Sequence, residues 1–508
     1  MMKKIYKHGL LVLLTSFLVV SCELDTDPTT AVDAAEVFKT TTDADKVLTG
    51  SWSYLMETFN TFANPGYGAM LRANDAMGSD VVLNTRYGFS SHYAFSALYA
   101  KGNTNSLSWV LAYKTINNMN AVIKNIDYAI GSETDKSRIK AQAFALRGFM
   151  YLHLASSYSF AIDKDPNALA VPIYTEPSNE NTIGRPAATV SQVYVQSIGD
   201  LEQALQLIPE NYQRSSKYKI NKQVVLGLLS RATLYARDWQ KAKTYSDQLL
   251  ATEHYLMSET EYKAGFNDIQ NREWIWGHPQ TTAQSDASYQ FHFLDTTTEE
   301  SYYYSFNADP YFRTLFDDSD YRKKIINWAT DPGKDPKKEA FVWMRVAKFK
   351  FKPGGIADIV LMRTAEMYLI NAEAKARLGE GDALDVLNQL KTARGAVTAQ
   401  GLSGQDLIDA IWLERRKELF GEGFSLTDIV RNQQTVVRKE YPQNPKIDYT
   451  YTDAEGKPQT VALTPQGHRI FVFPDQSNFV PNSKYYLYRI PNSEELENTD
   501  LYSEIAKR

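Results

Sequence analysis

The chain has 508 residues and a formal net charge of −5, with 43% hydrophobic and 23% charged residues. Such a chain can bury a large core in more than one lobe, and its acidic balance argues against a nucleic-acid footprint, which needs a concentrated basic face. A single cysteine, Cys22, excludes an internal disulfide, so stability must come from packing.

Lys3, Lys4, Lys7 and His8 open the chain, and Leu10 to Val20 form an apolar run too short to span a bilayer as an ordinary helix. The run ends in Ser21-Cys22. A small residue before a lone Cys at this place resembles the lipobox of bacterial lipoproteins, where the Cys is lipidated and becomes the mature N-terminus. The alternative is an ordinary cleaved signal with an incidental Cys. The lipobox reading predicts a signal peptide over 1–21, lipidation at Cys22 and a tether over 22–35, kept solvated by Glu23, Asp25 and Asp27. Several acyl chains anchor a protein firmly, since each buried methylene contributes about 0.8 kcal/mol.

The body is predicted over 36–508. Ala44 to Phe59 reads as a helix, with Val47, Leu48, Trp52 and Leu55 apolar. Residues 60–105 lose helical periodicity and are rich in Gly, Asn, Ser and Tyr, a composition of functional loops. Helix returns at Trp109–Tyr128 and Ser137–Tyr158, where Ile139, Ala143, Leu146 and Met150 share a face. AVPIYTEPS at 170–178 is a Pro-bounded extended segment. Helices follow at Ser191–Ile208, Asn221–Ala236 and Gln240–Ala251. Val225, Leu228, Ala232 and Tyr235 face one way, answered by Trp239, Ala242, Tyr245 and Leu249. Residues 252–360 read as short strands and long loops, as in EWIWGHP, ESYYYSF and FVWMRVAKF.

Residues 361–431 are helical again. Ala365, Leu369, Ala372 and Ala376 line one face; Gly379 and Gly381 break the helix; Leu384, Leu387 and Leu390 supply a second helix lying back on the first. Ile408, Ile411, Arg415 and Leu419 share a side of a third, with alternating charges through Glu414, Arg415, Arg416, Lys417 and Glu418. Four irregular helical hairpins result, over 109–158, 191–236, 222–251 and 363–394, and they look like degenerate tetratricopeptide repeats. The scaffold is expected mainly over 109–251 and 361–431, and a loop-rich ligand lobe mainly over 60–105 and 252–360. The segment 432–508 shows no clear helix until near its end.

RTAEMYLINAEA, LKTARGA and LERRKELFGEGFSLTDIVR resemble the signature segments of the SusD/RagB family, as do DDSDYRKK and the C-terminal FVFP and YYLYRIPNSEEL with Asn498. The resemblance implies a mostly α fold, with tetratricopeptide-like hairpins as scaffold beside a loop-rich lobe with short strands. It also implies an outer-membrane lipoprotein that captures nutrients, usually glycans, for a partner TonB-dependent channel of the SusC type. The acidic patch after Cys22 further resembles the surface-export signal of Bacteroidetes lipoproteins, which implies exposure to the cell exterior. One departure is visible: the family commonly has an aromatic or His and then Arg after the Glu-Gly step, whereas this chain has Phe424 and Ser425. One scaffold ion pair is therefore in question.

No enzyme, metal or cofactor motif is written locally. The seven His (His8, His92, His153, His254, His278, His292 and His468) form neither His-x-His nor HExxH, and there is no GxSxG, Walker loop or GxGxxG. Ser137-x-x-Lys140 lies on an amphipathic helix, and the acids at 317–320 lack the Gly and Glu of an EF-hand. Glu414, Arg415, Glu418, Glu422, Asp428 and Arg431 read as an ion-pair network between helices.

Sugars present flat C–H faces and hydroxyls, so a glycan site needs exposed rings beside hydrogen-bonding side chains. Two stretches have that composition: Asn84, Arg86, Tyr87, Phe89 and Tyr93, and then Asp286, Tyr289, Tyr302, Tyr303, Tyr304, Asn307 and Tyr311. Alternation along a strand would leave at least one of Tyr302, Tyr303 and Tyr304 near the surface. Capture of a glycan without turnover is the leading reading. The alternatives are a peptide-binding lipoprotein that uses the repeats, and a glycan-cleaving lipoprotein with two facing carboxylates.

Overall fold

A computed structural model describes residues 37–59, 65–84 and 88–501. The expected leader, Cys22 and the whole of the 22–35 tether lie outside the described residues. No helix among those described is long and apolar enough to cross a membrane.

The helical frame is built from α1 (Thr41–Glu57), α2 (Gly66–Ala76), α3 (Asn103–Asn125), α4 (Glu133–Tyr158), α5 (Val190–Leu207), α6 (Lys222–Tyr235), α7 (Trp239–Leu250), α8 (Thr364–Leu378), α9 (Ala383–Ala393), α10 (Gly404–Glu418) and α11 (Ser425–Arg431). Five of these eleven starts are chemically marked. Thr40, Ser132, Asn221 and Asp238 cap α1, α4, α6 and α7 by accepting a backbone N–H, and Thr189 with Gln192 forms a reciprocal capping box at α5. Gly379 ends α8 in the left-handed conformation, φ +74°, as the sequence predicts. The helices then pack as successive hairpins, α3 on α4, α4 on α5, α6 on α7, α7 on α8 and α8 on α9.

The small and large faces meet as their spacing requires. Ala365, Leu369, Ala372, Leu387 and Leu390 are buried with Ile411 and Leu419 in one local core, with Ala376 and Leu384 packed at its margin. Val225, Leu228, Ala232, Tyr235, Ala242 and Leu249 belong to the main core. The 60–105 stretch departs from its reading as aperiodic loop, because α2 lies within it. Nine of its eleven residues are buried, including Arg72, Asn74 and Asp75, so it has no polar face to give a helical rhythm.

The strands are short: β1 (Val81–Leu83), β2 (Trp274–His278), β3 (Phe306–Ala308), β4 (Ile326–Ala329), β5 (Phe341–Val346), β6 (Ile359–Arg363), β7 (Ile447–Thr452) and β8 (Pro458–Pro465). β1 pairs antiparallel with β3, and β2 with β6. Among the described residues, the order β4-β5-β8-β7 makes a four-stranded sheet, with β5 parallel to β8.

Frame and strands are joined by buried charge. Glu418, at the end of α10, accepts from Arg363 at 2.5 Å, from Arg322 at 2.6 Å and from Arg394 at 2.9 Å. Arg363 and Arg394 also hold Glu273 beside β2. Arg322 bonds Asp320 and Glu414, Lys417 bonds Glu414, and Lys348 and Arg363 bond Glu422. All of these side chains are buried. The acids at 317–320 are likewise engaged within the fold: Asp320 by Arg322, Asp318 by Lys323, and Asp317 by the Val397 N–H.

Burial alone would raise the Glu418 carboxyl, but Arg394, Arg363 and Arg322 outweigh it and hold the carboxyl well below the usual range. Burial opposes ionisation of Glu414 too, yet Arg322, Lys417 and Lys391 bring it to about 2. Glu373, held by Arg431, also lies at about 2.

Removing one charge strands the others, so Glu418→Gln is expected to destabilise the fold by about 3–5 kcal/mol in urea denaturation. A loss below about 1 kcal/mol would show that the network is not a structural constraint. The depressed carboxylates stabilise the fold above their unfolded pKa, near 4.5. That contribution is lost as pH falls from about 4.5 toward 2, and thermal melts over this interval should show stability dropping steadily.

Candidate functional site

The two ring-bearing stretches picked from the sequence come together in the structure. β1 lays Leu83 beside Phe306. At the next position Asn84 donates from Nδ2 to the carbonyls of Tyr303 and Tyr304, both at 3.1 Å. Arg345, on β5, donates to the Tyr304 carbonyl at 2.8 Å and to Asn307 Oδ1 at 2.9 Å. The Ser301 hydroxyl bonds the His292 carbonyl at 2.7 Å, and the Tyr303 N–H bonds the same oxygen at 3.2 Å. The 301–304 backbone is thus fastened on both sides of Tyr302.

Tyr302 projects from that fastened turn and is 65% exposed. Its ring lies parallel to His292, 4.0 Å between centroids and 16° between planes. Tyr289 meets His292 edge-on at 5.0 Å and Phe59 edge-on at 5.8 Å, and its hydroxyl bonds that of Tyr303. Phe59, just past the end of α1, is 41% exposed. Burial brings His292 down to about 4, so the ring under Tyr302 is neutral at ordinary pH. The result is a ring face, partly open and stiffened from below, with exposed Asp286 three residues before Tyr289.

The remaining predicted residues have other placements. Asn84 and Asn307 are buried fasteners of the loop. Phe89 is buried against Phe293 and Phe306. Tyr93 is buried, bonded to His468 at 2.8 Å and covered by Arg438. Tyr303 and Tyr304 are buried. Tyr311 is half-buried in a separate group with Tyr441 and Trp328. Arg86 and Tyr87 lie outside the described residues. Tyr302 is the open one of the three tyrosines, but not through strand alternation: β3 begins only at Phe306, and Tyr304 turns the chain with φ +47°. Sequence reasoning missed Phe59 and His292. Only the HF pair in YQFHFLD hints at the latter, and composition cannot tell which ring backs another.

The Ser137-x-x-Lys140 pattern comes apart. Ser137 donates to the Leu207 carbonyl, and Lys140 pairs with Asp127 at 2.5 Å. Among the described residues no group of His, Cys, Asp and Glu is arranged to hold a metal ion.

Comparison with known proteins agrees with this architecture. A SusD-like family model described as "Starch-binding associating with outer membrane" matches residues 32–234, and the SusD family model matches residues 339–505. A solved SusD-like carbohydrate binding protein from Bacteroides vulgatus is 65% identical, covering 92% of this chain and 98% of its own, with a TM-score of 0.90. A SusD superfamily protein from Bacteroides thetaiotaomicron shares the fold at 23% identity, covering 91% and 99%, with a TM-score of 0.74. SusD-like protein P38 of Formosa agariphila is 21% identical over 84% of this chain and 91% of its own. With frame, strands and signature helices all matched, the chain belongs to the SusD family.

Proposed function

We propose that this protein captures oligo- or polysaccharide at the cell surface, holds it against the Tyr302 face and delivers it without cleavage to a partner TonB-dependent transporter of the SusC type. In this reading the chain is anchored in the outer membrane through lipid on Cys22 and faces the cell exterior. The observation that carries the proposal is the Tyr302 ring, open to solvent yet held parallel to His292 by a fastened backbone. A pyranose C–H face stacks on such a ring. Because the ring is already ordered, little conformational entropy is lost when it engages ligand. Tyr289, Phe59 and Asp286 extend the face with further ring edge and hydrogen-bonding capacity. The 65% identical relative is a SusD-like carbohydrate binding protein, which supports the ligand class.

The test is a polysaccharide and peptide panel titrated calorimetrically against the purified full-length protein, with product analysis alongside. Glycan binding without new reducing ends is expected; peptide binding alone, or new reducing ends, would replace this reading with one of its alternatives. Tyr302→Ala should weaken glycan binding by roughly five- to tenfold, on the order of 1 kcal/mol of stacking, with an unchanged melting temperature. Unaltered affinity removes Tyr302 from the site. Because His292 stays neutral down to about pH 4, affinity should be flat from pH 8 to pH 5 and change only as pH nears 4. A midpoint near 6.5 would mean that the ring is solvated rather than packed.

A further inference from the structure

The four-stranded sheet turns one face to the core and the other to water. At the outer end of β5, Val342 and Met344 point inward and are buried, whereas Phe341 is 48% exposed and Trp343 half-buried on the opposite side. Directly paired residues on neighbouring strands project to the same side. Ala329 of β4 is paired with Trp343, and Thr464 of β8 with Phe341. Both neighbours are small, so neither ring has a bulky side chain laid across it from the paired position. Farther out on this face, Thr450 of β7 and Thr460 of β8 are exposed and joined hydroxyl to hydroxyl at 3.0 Å.

A sheet face in water is ordinarily polar, and two adjacent rings depart from that rule. They stand two residues apart on one strand, so ring positions repeat at about 7 Å, comparable with the spacing of neighbouring units in an extended glycan. Trp343 is also held in place. Arg469 sets its guanidinium over the indole, 5.7 Å from the ring centroid, and donates from Nη2 to the Leu83 carbonyl at 3.0 Å. Leu83 ends β1 beside Asn84, which grips the Tyr303 and Tyr304 carbonyls. Arg345, two residues after Trp343 on the same side of β5, donates to the Tyr304 carbonyl as well. The sheet rings and the Tyr302 turn therefore share their fasteners, and β5 leads from one toward the other.

We infer that the water-facing side of this sheet is a second sugar-binding platform, where further units of the same glycan chain lie across Trp343 and Phe341. Pyranose C–H faces stack on the two rings, and the Thr464 hydroxyl, able to donate and accept, serves the sugar hydroxyls beside them. Two rings set among Ala and Thr form a stripe too narrow for the apolar centre of a protein interface, which buries roughly 800 Å² on each side. A single sugar chain fits such a stripe. The inference rests on the glycan capture proposed above and extends its site from one ring turn to an elongated surface, which suits a polysaccharide or long oligosaccharide.

The test titrates the purified full-length protein with maltohexaose, cellohexaose, xylohexaose and mannohexaose, by calorimetry and by tryptophan fluorescence. At least one hexasaccharide is expected to bind and to change the tryptophan emission. For that sugar, Phe341→Ala should weaken binding roughly fivefold at an unchanged melting temperature. Trp343→Phe, which keeps a ring, should preserve binding but abolish the emission change, and it decides the matter if Phe341→Ala lowers the melting temperature. Combining Phe341→Ala with Tyr302→Ala should multiply the two single losses, as for separate contacts. Binding weakened by Tyr302→Ala, with affinity unmoved by Phe341→Ala and emission unmoved by Trp343→Phe, would overturn the sheet platform and leave the Tyr302 face standing. Sensitivity to the sheet variants alone would support the platform and remove Tyr302 from the site. Binding of none of the four sugars would overturn this inference, while the wider polysaccharide panel still tests glycan capture itself.

Discussion

Glu418 is the point on which the architecture turns. A carboxylate removed from water is costly unless every lone pair is answered, and breaking such a buried set costs more than forming it gains. Arg363 comes from the end of β6, Arg394 from the end of α9, and Arg322 from the loop before β4. Three distant segments must therefore arrive at α10 together, or none can be buried there. Tightly packed Ala and Leu faces would tolerate small slides of one hairpin along another. Guanidinium–carboxylate geometry does not, so the network selects one arrangement among several that hydrophobic burial alone would allow.

That selection reaches the ring-bearing lobe through β5 and its continuation. Lys348, two residues past the strand, is fixed by Glu422 at 2.6 Å and by the carbonyls of Glu418 and Phe420. Arg345, three residues earlier, holds Tyr304 and Asn307. The glycines of the Gly421-Glu422-Gly423 turn permit this proximity. A Cβ on Gly421 would stand 2.4 Å from the Phe349 ring, and one on Gly423 2.6 Å from Leu71 Cβ, both at positive φ.

The scaffold was legible because its physics is local. Ala and Leu recur at helical intervals, capping residues precede α1 and α4 to α7, and Gly379 marks a stop. α2 was not legible, since burial all round removes the polar half of the pattern. The Phe424-Ser425 departure has a visible consequence. Asp75 is buried with Arg72 only at 3.5 Å, and it relies on the Gly423 N–H at 2.8 Å and the Ser425 hydroxyl at 3.3 Å. Burial, countered only weakly by Arg72, pushes Asp75 up to about 6. Phe424 meanwhile lies between Arg231 and Arg415, at 5.1 and 4.8 Å. Of the candidate site, composition identified the stretches but could not sort Tyr302 from Tyr303 or Tyr304. Which ring faces out depends on Asn84 and Arg345, hundreds and tens of residues away along the chain.

β1 shows how so short an element can matter. Its three residues are buried. Asp80, just before it, is clamped by Arg416 of α10, while Asn84, just after it, grips the Tyr303 and Tyr304 carbonyls. A strand rises about 3.3 Å per residue, so the clamp on the frame and the grip on the loop are separated by only about 13 Å of extended chain. Any displacement of α10 relative to β1 is passed to the Tyr302 turn with little slack between. The ring at position 302 is held from below by groups that make no use of its own outer face. Its identity can therefore change while the loop's position does not, whereas the loop's position cannot change while Asp80, Asn84 and Arg345 keep their partners.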